Sequence, residues 1–384
     1  MSESPNRFEL LSIPASRQPV SLLSVDRAVS DLRRGLFVVI QGAGGSAVLA
    51  QAAEGASDDS LDQLARTAGS SPTLSITGRR AAVLDLARPV GKVVTLSTTP
   101  PLSAAGVYEL SDPLIESVPS ALNIEVEETE TYDCENAAVS LAKIARLLPA
   151  VVTAAITDNE AEDLAAWAAR HDLLLVDAGD IFQYENVAAR TLRKVSEARV
   201  PLADAEQTRI IAFRPLDGGL EHLAIMIGEP DPATPVLVRL HSECFTGDLL
   251  GSLRCDCGDQ LRGAIDEISA EGSGVLLYLA QEGRGIGLVN KLRAYELQDR
   301  GFDTLDANEQ LGFDADERVY LPAARMLRQL GFSAVRLLTN NPDKVEALGL
   351  CGVTVVERVA HTFPANKHNE MYLQTKKAKG GHLI

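Results

Sequence analysis

From Pro235 to Val359 the chain alternates short apolar runs with amphipathic stretches, and that alternation leaves few folds open to it. PVLVRLHSE (235–243) and GVLLYLA (274–280) read as strands, and CGDQLRGAIDEISAEG (257–272) between them has a helical period. GLVNKLRAYELQDRG (287–301) and PAARMLRQLG (322–331) are then helices, AVRLLT (334–339) a strand, NPDKVEALGLCG (341–352) a helix and VTVVERV (353–359) a strand. TRIIAFRPL (208–216) and EHLAIMIGE (221–229) precede them as strands separated by turn residues. Such a pattern demands a sheet layered with helices.

The first half repeats the theme more loosely. VDRAVSDLRRG (25–35) has a helical period closed by Gly35; LFVVI (36–40) is a short buried strand and QGAGGSA (41–47) a turn. Residues 60–67 look helical, while AAVLDL (81–86) and KVVTLS (92–97) look extended. AAVSLAKIARLL (137–148) and NEAEDLAAWAARH (159–171) are amphipathic helices, with AVVTAAI (150–156) and LLLVDA (173–178) as buried strands. At 384 residues the chain is too long for one ordinary domain. The expected fold class is therefore α/β with mixed sheets of the α+β type. Two domains, 1–200 and 201–384, would each be a sheet layered with helices. Residues 1–20 read as a loose lead-in and 367–384, polar and Lys-rich, as a mobile tail.

The net charge is −17 and both halves are acidic, so nucleic acid and anionic membranes are poor partners. A polyanionic ligand would need a local cluster of Arg and Lys. No apolar run approaches the ~20 residues of a membrane helix, and the N-terminus does not read as a secretory signal. Five scattered cysteines make a disulfide framework improbable and suit a reducing cytoplasm.

Three of those cysteines carry chemistry. Cys244, Cys255 and Cys257 form a C-x10-C-x-C group; the first follows a strand and the other two precede a helix, whose free N–H groups favour thiolates. Three soft ligands and one open position are the donor set of a catalytic Zn²⁺, which lowers the pKa of bound water to ~7. A structural zinc completed by His241 or a carboxylate, or three reduced core cysteines, would use the same spacing. Cys134 and Cys351 have apolar surroundings and read as core packing.

Three junctions suit a triphosphate. QEGRGIGL (281–288) is a Gly-rich strand-to-helix turn in which Gly283 and Gly285 admit an anion, Arg284 grips phosphate, and Glu282 accepts from a base with adjacent N–H donors, as guanine has. In LTNNPDK (338–344), Asn340 or Asn341 caps a helix, Pro342 suits its first position, and Lys344 opposes the helix dipole unless an anion sits there. In DADERVY (314–320), Asp316 and Arg318 share a face, as proton acceptor and phosphate ligand or as a surface salt bridge.

The runs RLHSECFTGDLLGSLRCDCGDQL, LYLAQEGRGIGLVNKLRAYELQDRGFDTLDAN, LGFDADER, RLLTNNPDKVEALGLCGVTVVERV and NEMYLQTK, in order over about 205–375, resemble GTP cyclohydrolase II. The resemblance implies conversion of GTP to 2,5-diamino-6-ribosylamino-pyrimidinone 5′-phosphate with release of formate and pyrophosphate, the first step of riboflavin synthesis. Zn²⁺ and Mg²⁺ would be required, and a homodimer is the family's common state. Carried over by motif, Cys244, Cys255 and Cys257 hold zinc. Arg239, Leu240, His241, Ser242, Glu243, Gln260, Glu282, Gly283, Arg284, Thr304, Thr339 and Lys344 bind GTP, with Tyr295 near the base. Asp316 matches the proton acceptor and Arg318 the arginine that attacks the α-phosphate. Val319 departs from the acidic residue many members carry there.

The first half resembles a worn 3,4-dihydroxy-2-butanone 4-phosphate synthase in VDRAVSDLRRG and HDLLLVDAGDIFQY. That family carries an acidic, metal-binding run after its first strand; Gln41 to Ala47 here contain no carboxylate, and no His-Thr-Glu triplet stands where a second metal ligand belongs. The expectation is a non-catalytic scaffold, dimerisation or regulatory unit. A nucleotide-binding pseudoenzyme, or a cyclohydrolase stopping at the formamidopyrimidine, are the competing readings of the whole.

Overall fold

The computed structural model describes residues 18–86, 92–115, 122–158, 161 and 163–363. The readings of residues 1–17 and 367–384, with the NEMYLQTK motif, lie outside them. The chain divides into two compact units, Met1–Ala188 and Ala189–Ile384, each built on a seven-stranded mixed sheet layered with helices.

In the first unit the strands are β1 (Val38–Gln41), β2 (Ala47–Ala52), β3 (Thr73–Thr77), β4 (Val93–Thr99), β5 (Asn123–Glu128), β6 (Ala150–Ala155) and β7 (Leu174–Asp177). They lie in the order β5-β4-β3-β6-β2-β1-β7, with β1 and β7 parallel and the other neighbours antiparallel. Period-two burial sends Val38, Ile40, Val48 and Ala50 to one face, under the helices Gln18–Arg33 and Cys134–Ile144. Val39, Leu49, Leu74 and Ile76 go to the other, with Leu64 and Trp167. Cys134 packs in the first of these layers as expected. The stretch 81–86 is not extended: Thr77 accepts from Arg80 N at 3.3 Å and caps a helix, Gly78–Val83, while the strand is the preceding Thr73–Thr77. A local cap outweighed the apolar run there.

The second unit holds β8 (Arg193–Arg199), β9 (Thr208–Arg214), β10 (His222–Ile227), β11 (Val236–Ser242), β12 (Gly274–Leu279), β13 (Ala334–Leu338) and β14 (Thr354–Val359). Their order is β14-β13-β11-β12-β10-β9-β8. Residues 193–199, expected to close the first unit, are instead the edge strand of this second sheet, paired antiparallel to β9. The boundary therefore falls at Ala188, not near residue 200. All seven residues of β8 are exposed, so no hydrophobic pattern marked them as sheet. The strands β14, β13, β11 and β12 run parallel; β12, β10, β9 and β8 alternate in direction. Val236, Val238, Leu240, Val275, Leu277 and Leu279 pack on one face with Ala323, Met326 and Leu327 of the helix Leu321–Gln329, and Cys351 joins them. Leu237 and Leu276 face Ala264 and Ile268 of the helix Cys257–Glu271 on the other. Among the described residues no helix is long and apolar enough to cross a membrane.

Candidate active site

Three neighbouring parallel strands, β13, β11 and β12, deliver their carboxyl ends to one edge of the second sheet. The chain leaves β11 for β12 on one side and later returns to β13 on the other. That makes this the switch point where open α/β sheets leave a crevice for ligands. Alternation along β11 does the rest: Leu237 faces the helix Cys257–Glu271, so Arg239 and His241 do too. The resulting cleft encloses about 160 Å³.

Cys244 lies just past β11, Cys255 and Cys257 at the start of the helix Cys257–Glu271. Their three sulfurs lie within 4.8 Å of one another, the one such group of potential ligands among the described residues. Cys244 Sγ is 3.7 Å from Cys255 Sγ, and no cysteine is in a disulfide. A Cβ added at Gly247 would come within 2.9–3.0 Å of the Cys255 and Cys244 sulfurs, so only glycine lets this turn close over the trio. As bare sulfurs they share one ionisation. Hydrogen bonds from Cys255 and Cys257, and then Lys291, hold Cys244 well below the thiol range; the bond to Cys244 pushes Cys255 up to about 11, and Cys257 is raised by the same contacts. A divalent cation is what allows all three to be thiolates, so the donor set suits zinc.

Behind this group stands a buried carboxylate. Asp248 accepts from His241 Nε2 at 3.1 Å, Tyr278 Oη at 2.9 Å and Cys244 N at 3.0 Å. The His241 ring stacks on Tyr278, its register partner on β12, at 5.6 Å and 18°. Burial holds the His241 pKa below its usual value despite Asp248, so the ring is neutral with its proton on Nε2. Its Nδ1 is buried without a partner, a lone pair in a residue that lines the cleft.

Glu282 behaves differently from the sequence reading. Its carboxylate, 4% exposed, accepts from Lys291 Nζ at 2.8 Å and Gly283 N at 2.9 Å through Oε1, and from Phe245 N at 2.6 Å through Oε2. Three protein donors already meet the acceptor that a base was expected to use. The turn that holds it is left-handed at Gly283 (φ 64°), Arg284 (φ 62°) and Gly285 (φ 100°); a side chain at Gly285 would meet the Glu317 backbone at 3.0 Å.

The cluster of cations that an acidic chain needs is present. Arg239 is 5% exposed and donates to the Leu338 carbonyl at 3.0 Å and to Gln260 Oε1. Burial brings its pKa down to about 10, and its Nε has no partner. Gln260 also donates to Asp256 at 2.5 Å. Lys344, 8% exposed, donates to the Leu240 carbonyl. Asn341 caps the helix Pro342–Leu350 by accepting from Asp343 N, and Thr339 accepts from Asn341 N at 3.1 Å. Arg318 Nε lies 2.8 Å from Asp316 Oδ1 and its Nη2 grips the second oxygen. Burial alone would raise Asp316, but the charge and hydrogen bonds of Arg318 prevail and hold it below the usual carboxylate range. Asp316 and Arg318 thus form an ion pair, as their spacing allowed.

Arg239, His241, Ser242, Glu243, Gln260, Glu282, Gly283, Arg284, Tyr295, Thr304, Arg318, Thr339, Lys344 and the three cysteines all line the one cleft. Leu240 and Asp316 do not. The Leu240 side chain points into the core, and Asp316 reaches the site through its ion pair with Arg318 and the nearby charge of Arg284. Tyr295 meets Thr246 Oγ1 at 3.4 Å with the Arg254 guanidinium 4.8 Å over its ring, and burial raises its pKa to about 12. Sequence reasoning passed over Asp248, Lys291, Arg254 and the segment His361–Phe363. Lys291 carried a signal, a lysine in the first turn of the helix Leu288–Asp299 against its dipole. Phe363 had one in Gly263: a Cβ there would fall 2.2 Å from the Phe363 ring, which explains a glycine inside a helix.

A family model described as GTP cyclohydrolase II matches residues 193–360. A protein named GTP cyclohydrolase-2 from Azospirillum brasilense is 58% identical over 95% of this chain and 94% of its own length. The riboflavin biosynthesis protein RibBA of Bacillus cereus is 45% identical over 65% of this chain and 64% of its own. A solved two-domain 3,4-dihydroxy-2-butanone 4-phosphate synthase from A. baumannii covers 88% of this chain and 99% of its own, with a TM-score of 0.38 and 16% identity. A likeness of that size carries no argument about the chemistry of either unit.

Proposed function

The chain belongs to the GTP cyclohydrolase II family, and from that premise we propose that it is a zinc enzyme converting GTP to 2,5-diamino-6-(5-phospho-ribosylamino)pyrimidin-4(3H)-one, formate and pyrophosphate. The chain is a hydrolase acting on GTP in riboflavin biosynthesis. The observation that carries the zinc reaction is the trio of sulfurs within 4.8 Å of one another on the wall of the cation-lined cleft.

Cys244, Cys255 and Cys257 would hold zinc, which when bound supplies a Lewis acid and brings a coordinated water's pKa toward neutrality. Arg284, Arg318 and Lys344 take the triphosphate with Mg²⁺, and the helix start at Pro342 adds its dipole. Arg239 is anchored to Leu338 and Gln260, so it orients the wall and presents a desolvated positive charge. Asp316 releases Arg318 toward the α-phosphate when substrate displaces the ion pair, and accepts a proton in turn. His241, held by Asp248, offers the Nδ1 lone pair to a donor in the cleft. Glu282 works mainly as the buried tie that sets the Gly283–Gly285 turn against the cysteine loop.

We also read the chain as a cytoplasmic homodimer without nucleic-acid or membrane partners. Its free thiols suit a reducing compartment. Phe245, Leu249, Leu250 and Leu253 are exposed on the loop that Lys291–Thr246 and Arg254–Asp299 hydrogen bonds tie to the helix bearing exposed Val289 and Leu292, apolar side chains that a second copy would cover. The first unit serves as a scaffold without synthase activity; its turn after β1 has no carboxylate for a cation. The test is incubation with GTP, Mg²⁺ and Zn²⁺. Formate, pyrophosphate and the diaminopyrimidine mass are expected; unchanged GTP, or a product retaining the formyl group, would contradict the proposal.

A further inference from the structure

Three thiolates around one divalent cation leave a centre with a net negative charge, inside a chain that already carries −17. Strong thiolate donation weakens a metal as a Lewis acid, and the negative charge opposes a triphosphate. Proteins correct both through groups that hydrogen-bond to the ligands. The cleft contains such a group in Lys291. Its Nζ lies 3.0 Å from Cys244 Sγ, 2.9 Å from Thr246 Oγ1 and 2.8 Å from Glu282 Oε1, with the side chain 11% exposed. An ammonium has three donors, and here all three are met by the protein, so Lys291 has none left over for GTP. Gly247 N, 3.4 Å from the same sulfur, adds a second donor to Cys244.

We infer that Lys291 is a positioning residue for the metal centre. Its ammonium donates to the Cys244 thiolate and weakens that sulfur as a ligand, while its bond to Glu282 ties the ligand loop to the Gly283–Gly285 turn. The placement has a cost that a purely structural role does not explain. A lysine in the first turn of the helix Leu288–Asp299 opposes the helix dipole and is largely buried. Glu282 could have been held by its two backbone donors, Gly283 N and Phe245 N, without a buried cation. What the lysine adds is a positive charge in contact with one sulfur of the three.

This inference rests on reading the trio as metal ligands, and cobalt separates the two questions. The full-length protein is loaded with Co²⁺ in place of zinc and its sulfur-to-cobalt charge-transfer absorption recorded. Absence of such absorption in the unaltered protein would overturn the ligand reading itself. If it is present, Lys291→Met should move the band to lower energy, because a thiolate that loses its donor gives up its electron more easily. Lys291→Arg, which keeps charge and donors, should return the band most of the way. With zinc, GTP turnover should fall roughly 10–100-fold in Lys291→Met and recover substantially in Lys291→Arg. A band unmoved in Lys291→Met at full cobalt occupancy would overturn the inference, since a merely structural lysine would change stability and leave the spectrum alone. Should Lys291→Met fail to fold or load cobalt, Lys291→Gln is read the same way: a shift to lower energy supports the inference and an unmoved band overturns it.

Discussion

The two units use the same material to different ends. Each has seven strands and an apolar layer on both faces of its sheet. In the second, three adjacent parallel strands end together, and the residues at or near those ends are ionisable or sulfur-bearing: Arg239, His241, Cys244, Glu282 and Lys344. In the first, among the described residues, parallel pairing is confined to β1 and β7, and β1 runs into Gly42, Ala43, Gly44, Gly45 and Ser46 before turning straight back as β2. Even Gly42 is committed to packing, since a Cβ there would strike Cys134 Sγ at 2.7 Å. The contrast teaches that a layered sheet is a platform, and that chemistry depends on which side chains are carried to its open edge.

The comparison breaks most decisively at the sulfurs. Cys255→Ser should abolish metal binding and GTP ring opening together, a larger loss than the roughly 10–100-fold typical of a residue behind the ligands. Metal analysis and formate assay check it. Gly247→Ala should come close, because its methyl would occupy space 2.9–3.0 Å from two sulfurs; zinc per chain should fall well below that of the unaltered protein. Asp248→Asn should lower turnover about 10–100-fold while zinc remains largely bound, since the amide cannot satisfy His241, Tyr278 and Cys244 N together.

Smaller effects sharpen the contrast. Asp316 has a folded pKa below its ordinary ~4, so its pairing with Arg318 stabilises the second unit above that pH and is lost as pH falls through the depressed value. Asp316→Asn should therefore flatten the acid limb of a stability-versus-pH profile. In the first unit, Arg80 is 4% exposed and donates to the Leu110 and Glu109 carbonyls that end the helix Ala104–Ser111. Arg80→Met should destabilise that unit by about 1–3 kcal/mol in urea unfolding. Turnover per folded chain should stay unchanged; a proportionate loss would mean that the first unit takes part in the chemistry.

Much of this was legible in the sequence. Short, nearly continuous apolar runs such as VLVRLHS and GVLLYL marked their strands nearly to the residue, because each is buried on both faces. The Cys spacing, the Asn341–Pro342 cap and the Asp316–Arg318 pairing are local patterns, and local patterns survive translation into sequence. The strand β2 and the helix Gly78–Val83 were missed because a cap or a tight return decided them against weak periodicity. Asp248 was missed for another reason: its partners come from β11, β12 and the Cys244 turn, a meeting that no spacing encodes. Glu282, read from its motif as an acceptor for the base, lines the cleft, but its saturation by Lys291, Gly283 N and Phe245 N emerges only in three dimensions.

The most direct test of where the chemistry resides is mass spectrometry of GTP after incubation with the zinc-loaded chain, alongside its Cys255→Ser variant. The account predicts the diaminopyrimidine phosphate from the first and intact purine from the second. The same diaminopyrimidine from a metal-free Cys255→Ser protein would contradict it.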